Sequence, residues 1–138
     1  MAVYRDVLEV GTRGADLYEI TPDLRSLVRG AGLRDGIAVA FVRHTSASLV
    51  IQENADPRVC QDLLDFFAGL VPEDRSYAHD DEGPDDMPAH IRAALTHTSE
   101  VVPFADGELT LGTWQGLYLF EHRRRAHRRR VEIRLLGE

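Results

Sequence analysis

Residues 36–70 read GIAVAFVRHTSASLVIQENADPRVCQDLLDFFAGL. The run Gly36–Val42 is almost continuously apolar and of strand length, which predicts a central strand covered on both faces. The polar junction His44-Thr45-Ser46 interrupts it, and Ala47–Glu53 reads as a second strand. A helix follows, with Asp56 as its cap and Pro57 at the first helical position, where a missing N–H costs nothing. Val59, Leu63, Phe66, Phe67 and Leu70 then share one helical face. Strand, strand and helix in direct succession is not a strict βαβ alternation.

The flanking sequence extends the pattern. Val3–Val10 and Ala15–Ile20 read as short strands around the Gly11 and Gly14 turn. Thr21-Pro22-Asp23 predicts a helix start with Thr21 as the cap, and Gly30 or Gly32 its end. Residues 71–87 form a long polar segment without periodicity, and loops above about 12–15 residues in compact domains are usually functional or disordered. A third helix is expected from Pro88, with Met87 as its cap and Ile91, Ala94 and Leu95 on its apolar face. Strands are expected at Val101–Phe104, Leu109–Leu111, Gln115–Glu121 and Val131–Leu135. About eight strands and three helices in this order predict one α+β domain over residues 1–138, with a mixed, largely antiparallel sheet.

At 138 residues and 43% hydrophobic composition the chain can bury a sizeable core without staples. The lone Cys60 excludes an internal disulfide framework and a cysteine-based zinc cage. The first residues lack the apolar stretch of a signal peptide, and no run approaches membrane-span length. A cytoplasmic protein without a membrane partner is the expectation. Net charge is −7, and all 16 basic residues are arginine. Seven of them lie between Arg123 and Arg134, and seven acids lie between Glu73 and Asp86. That asymmetry argues against a nucleic-acid coat and permits a local anion site or a charge-matched subunit contact.

Three of the six histidines sit where the chain changes character. His44 ends the apolar strand, His79 lies in the acidic segment, and His90 falls in the first turn of the third helix, whose dipole disfavours imidazolium. Neutral imidazole is the form that binds a metal, and three histidines with an open position suit zinc or a similar divalent ion. The plainer alternative is three surface or hydrogen-bonded histidines. The acids between His79 and His90, Asp86 among them, read as a solvated face, as acceptors that orient an imidazole, or as a general base. Glu53 reads as a polar strand end, or as a carboxylate converging on the pocket of His44. Trp114-Gln115 reads as a packed turn or as a pocket rim that stacks on a flat heterocycle. Residues 123–130 (RRRAHRRR) suit a hairpin tip, a phosphate site or a subunit interface; the missing aromatics argue against nucleic acid. No glycine-rich phosphate-cradling loop is present.

Several of these stretches together resemble the YjbQ-like family of small proteins, to which a secondary thiamine-phosphate synthase activity is attributed. The matching segments are His44-Thr45-Ser46-Ala47-Ser48, Gln52-Glu53-Asn54-Ala55-Asp56-Pro57, and Tyr77-x-His79. They continue through Glu82-Gly83-Pro84-Asp85-Asp86-Met87-Pro88-Ala89-His90-Ile91, Leu111-Gly112-Thr113-Trp114-Gln115-Gly116 and Glu121-His122-Arg123. The resemblance covers nearly the whole chain. Glu100 and Glu108 depart from the family pattern, which favours an apolar and a basic residue there, and neither touches the histidine segments. The resemblance implies an α+β fold, a homotrimer, and a divalent metal, zinc first, at His44, His79 and His90. It also implies joining of a pyrimidine methyl diphosphate to a thiazole phosphate with release of pyrophosphate.

On that basis Glu53 and Asp86 are the expected acid–base or imidazole-orienting residues. Trp114, Gln115, Arg123, His127 and Arg128 are the expected contacts to a small phosphorylated molecule, the arginine-rich end serving alternatively as the trimer contact. Two other functions stay open: metal-assisted hydrolysis of a phosphorylated small molecule, and a metal- or ligand-binding module without turnover.

Overall fold

The computed structural model describes every residue from Met1 to Glu138. Its elements run β1 (Ala2–Gly11), β2 (Asp16–Glu19), α1 (Thr21–Ala31), β3 (Gly36–Val42), β4 (Ala47–Glu53) and α2 (Pro57–Leu70). They continue with α3 (Asp86–Leu95), β5 (Ser99–Ala105), β6 (Glu108–Leu109), β7 (Gln115–Glu121) and β8 (Arg128–Gly137). The strands form a five-stranded sheet, β1-β8-β3-β5-β6, and a three-stranded sheet, β2-β7-β4. Three helices and an α+β order match the sequence reading. Every strand pairing is antiparallel, so the sheets are not mixed.

The core lies between the sheets. Ala38, Ala40 and Val42 of β3 and Val131, Ile133 and Leu135 of β8 are buried with Leu49, Leu117 and Leu119 of the smaller sheet. Leu24 and Val28 of α1 join the same cluster. Alternation along β8 sets its inward face, and the strand begins three residues before the expected Val131. Arg129 therefore points inward with Val131, Ile133 and Leu135 instead of standing in an exposed basic run. Gly36 faces Gly137 across β3 and β8; a Cβ on Gly36 would sit 2.0 Å from the Leu136 carbonyl oxygen, so this crossing admits only glycine.

The helix starts show which local signals win. Asp56 caps α2 as predicted, its carboxylate accepting the Arg58 N–H at 3.0 Å. Thr21 is the first residue of α1, not its cap, and its hydroxyl accepts the Leu117 N–H at 2.8 Å. The tertiary bond to β7 takes the group that the helix end would have used. Helix α3 starts at Asp86, ahead of Met87 and Pro88, and buries Asp86, Ala89 and Arg92, not the predicted Leu95. Helix α2 has no fully buried residue, and Phe66 and Leu70 stand in solvent. Only part of its predicted apolar face meets the sheet, with Phe67 edge-on to Phe120 of β7 at 5.4 Å.

One polar cluster closes an end of the core. Glu121, fully buried, pairs with Arg129 at 2.5 Å (Oε2 to Nη2) and 2.8 Å (Oε1 to Nε). Its oxygens also accept the Thr12 hydroxyl at 2.7 Å and the backbone N–H groups of His122 and Arg123. Arg129 in turn reaches the Ser46 hydroxyl at 3.0 Å. Burial pushes the Glu121 carboxyl up, but Arg129 and these hydrogen bonds outweigh it and hold the group below the ordinary glutamate value. A depressed acid binds fewer protons folded than unfolded, so its contribution is present above the ordinary value and is lost as pH falls through the folded one. Glu121→Gln should cost about 3–5 kcal/mol in urea unfolding at neutral pH, because it leaves Arg129 buried and unpaired. The variant should also lose part of the wild-type dependence of stability on acid pH.

Candidate metal centre and adjoining cleft

Asp86 opens α3 and stands at the middle of a charged group. Its side chain is 5% exposed. Its Oδ2 lies 2.7 Å from His79 Nε2 and 3.1 Å from His90 Nε2, while Oδ1 accepts Arg123 Nη1 at 2.6 Å. Asp86 and His90 are one helical turn apart, which places both side chains on the same face of α3. His79 reaches the group from the acidic loop, which Arg123 pins by pairing with Asp85 at 3.0 Å and with the Glu82 carbonyl at 3.1 Å. The Arg124 N–H also donates to Asp85, at 2.9 Å.

Burial pushes the Asp86 carboxyl up, but the bond to His79 and the charges of His90 and Arg123 hold it below the ordinary range. The hydrogen bond to Asp86 pushes His79 up. Asp85 is held down by Arg124 and Arg123 against its own burial.

His90 Nδ1 lies 2.9 Å from the Thr45 carbonyl oxygen, which only an N–H can face. A neutral His90 therefore carries its proton on Nδ1 and turns the bare lone pair of Nε2 toward Asp86 Oδ2. Two acceptors 3.1 Å apart need a proton or a cation between them. Ligand atoms of His79, Asp86 and His90 lie within 4.8 Å of one another. Two imidazoles and a carboxylate, one imidazole oriented through its second nitrogen, make a donor set suited to a divalent ion.

His44 stands outside that group. Its Nε2 accepts the Arg130 N–H at 2.9 Å, so the ring carries its proton on Nδ1. Burial and the charge of Arg129 push its pKa down, and the ring stays neutral. His44 and His90 instead share an open cleft of about 760 Å³, lined also by Thr45, Ser46, Arg43 and Arg129. Of the three expected histidines, His79 and His90 come together, with Asp86 between them, and His44 stands on the wall of the cleft. Asp86, expected as an acid–base or imidazole-orienting residue, contacts both of those imidazoles.

The remaining expected site residues divide. Glu53 and Gln115 pair across β4 and β7, at the far end of β4 from His44, about 20 Å along the strand. Glu53 accepts the Ala55 and Asp56 N–H groups and shapes the entry to α2. Gln115 accepts the Gly112 N–H, and Trp114 stands 63% exposed beside it. These three do not converge with His44. His127 bonds through Nδ1 to the Arg125 carbonyl, and its backbone N–H donates to Thr12, so it shapes its own loop. Arg128 extends into solvent 3.6 Å from Glu9. The charge match foreseen between the basic run and the acidic segment is made inside one chain, by Arg123 with Asp85 and Asp86 and by Arg124 with Glu73. Arg129 also lines the cleft, a site position that the sequence signals only through its odd-numbered register with Val131, Ile133 and Leu135.

No helix is long and apolar enough to cross a membrane. Residues 6–138 match the model of the family described as UPF0047 protein YjbQ-like. A UPF0047 protein of Synechocystis sp. is 53% identical over 136 residues, covering 98% of this chain and 92% of that one. The UPF0047 protein YjbQ of Escherichia coli is 38% identical over 98% of this chain and 99% of its own length. Among solved structures, a YbjQ-like protein of unknown function from Sulfolobus solfataricus superposes with a TM-score of 0.91 at 29% identity, over 99% of both chains. A conserved hypothetical protein from Thermus thermophilus gives 0.85 at 35% identity, over 95% of this chain and 99% of that one. Nearly full-length matches in sequence and in fold, across bacteria and an archaeon, lead to one conclusion: this chain belongs to the UPF0047 YjbQ-like family.

Proposed function

We propose that the protein is a metal-dependent enzyme acting on a phosphorylated small molecule, with His79, Asp86 and His90 holding a divalent ion, zinc first. The observation that carries the reading is the convergence of His79, Asp86 and His90, with His90 held through Nδ1 by the Thr45 carbonyl so that its Nε2 lies 3.1 Å from Asp86 Oδ2. A bound divalent ion supplies Lewis-acid neutralisation of phosphoryl oxygens. The cleft beside it offers His44 Nδ1–H as a neutral donor and Arg43 at the mouth, while Arg129 lends charge from the buried pair behind.

The reaction proposed is thiamine-phosphate-synthase-type transfer, on the family resemblance. The methylene carbon–oxygen bond to the diphosphate breaks, pyrophosphate leaves with the electron pair, and the thiazole nitrogen forms the new bond to carbon. Donors at the cleft stabilise the charge that builds on the departing oxygen. The same site serves hydrolysis if phosphate is released from one substrate alone. Glu53, Trp114 and Gln115 have no part in either step, being at the other end of β4.

Self-association as a homotrimer belongs to the proposal. The outer face of the five-stranded sheet aligns Val3, Leu136, Ile37 and Pro103 in one row, with Val39 and Val101 in the next. Val3, Ile37, Phe41 and Val101 are exposed large apolar residues. Phe41 also lines the cleft, so a second copy seated on this face would wall the substrate site.

Elemental analysis of chelator-free protein should find about one divalent ion per chain, lost in His79→Ala and kept in His44→Ala. Metal kept in His79→Ala, or lost in His44→Ala, overturns the ligand assignment. With metal present, His44→Ala should release pyrophosphate from the paired substrates at least about 100-fold more slowly than wild type. Phe41→Glu should turn a trimer into monomers in sedimentation; a wild-type monomer at micromolar concentration overturns the assembly.

A further inference from the structure

Two buried side-chain polar atoms lack a hydrogen-bond partner, Arg92 Nε and His122 Nδ1. Both residues line the same cleft, of about 460 Å³, between α2 and the outer face of β7. Its position differs from that of the cleft beside the metal centre, with which it shares no lining residue.

Arg92 is 9% exposed and forms no ion pair. Its Nη2 donates to the Val71 carbonyl at 2.8 Å. Asp85, whose charge reaches it, is engaged by Arg123 and the Arg124 N–H. A buried guanidinium without a counter-charge is costly, and burial pulls its pKa down. His122 is 1% exposed, and burial first, then the charge of Arg92, pushes its pKa down to about 3, so the ring is neutral. Its Nε2 lies 2.8 Å from Ser48 Oγ, which receives the Thr96 hydroxyl at 2.5 Å. The base of the cleft presents the Arg92 guanidinium beside the neutral His122 ring and the Glu121 carboxylate, whose charge Arg129 already pairs.

The mouth has the opposite sign. Asp16 and Asp65 line it, both are exposed, and neither pairs with an arginine. Leu64, Phe67 and Phe120 form apolar walls between mouth and base. Helix α2, which buries no residue completely, covers the cleft without sealing it.

We propose that this cleft is a second binding site, for a small amino-carboxylate whose carboxylate meets Arg92 and whose ammonium meets Asp65 and Asp16. A phosphate dianion is disfavoured by two aspartates at the entrance and one arginine at the base. A singly charged carboxylate with a cationic tail matches both ends of the cleft. The site does not depend on the proposed enzymatic activity.

The test is a titration of the ¹⁵N-labelled full chain with glycine, β-alanine and 4-aminobutyrate, each set against acetate, propionate or butyrate. The Arg92 Nε–H and His122 ring signals are followed. One amino-carboxylate should saturate these signals and bind at least about tenfold more tightly than its amine-free counterpart. Arg92→Gln should abolish the saturation, and Asp65→Asn should erase the preference for the amine. Should Arg92→Gln not fold, the wild-type signals and Asp65→Asn, on the exposed surface of α2, decide the question. No saturation by any of the six compounds at millimolar concentration, or equal binding with and without the amine, overturns the proposal.

Discussion

The buried pair of Glu121 and Arg129 is the constraint on which both the architecture and the site depend. It sits where the end of β7 meets the start of β8, and it binds Thr12 after β1 and Ser46 before β4. Four chain segments from two sheets thus meet on one ion pair. An ion pair in a sealed core brings little net stability compared with an apolar substitute, but losing either member is expensive. Its value here is positional. It fixes the His44-Thr45-Ser46 junction, and the Thr45 carbonyl at that junction sets the orientation of His90. The candidate metal centre is therefore registered to the core through one carbonyl group.

The acidic loop acquires its order from Arg123. That residue binds Asp85, Asp86 and the Glu82 carbonyl together, so a segment rich in like charges folds back against α3. Without that clamp, seven acids within 14 residues would repel one another. With it, one carboxylate is held against two imidazoles. The arrangement calls for positive charge at its centre, from protons or from a metal.

The fold was legible wherever periodicity and local chemistry agreed. The strands Gly36–Val42 and Ala47–Glu53 and the Asp56-capped helix stand where their residues predict. Legibility failed where a tertiary partner took over a local signal. The Thr21 hydroxyl serves β7 rather than its helix. Arg129 looked solvated because arginines usually are, yet Glu121 supplies a buried partner eight residues upstream, a pairing invisible to local pattern. Of the site, His79, Asp86 and His90 were readable as chemistry-bearing residues in one segment. That His44 and Glu53 lie at opposite ends of β4 follows from strand geometry alone, and a strand drawn to scale separates them. The orphaned atoms of Arg92 and His122 had no sequence signature, since an unmet hydrogen bond is a property of packing.

Strand β8 lies between β1 and β3 in the five-stranded sheet, yet it follows every other strand in chain order. During synthesis, β1 and β3 leave the ribosome with the edges that face β8 open, and those edges stay open until residues 128–137 emerge. The larger sheet therefore closes only after every other strand has emerged. A ribosome stalled within β7 would leave β1 wholly unpaired and one edge of β3 open, the kind of backbone edge on which another chain can pair.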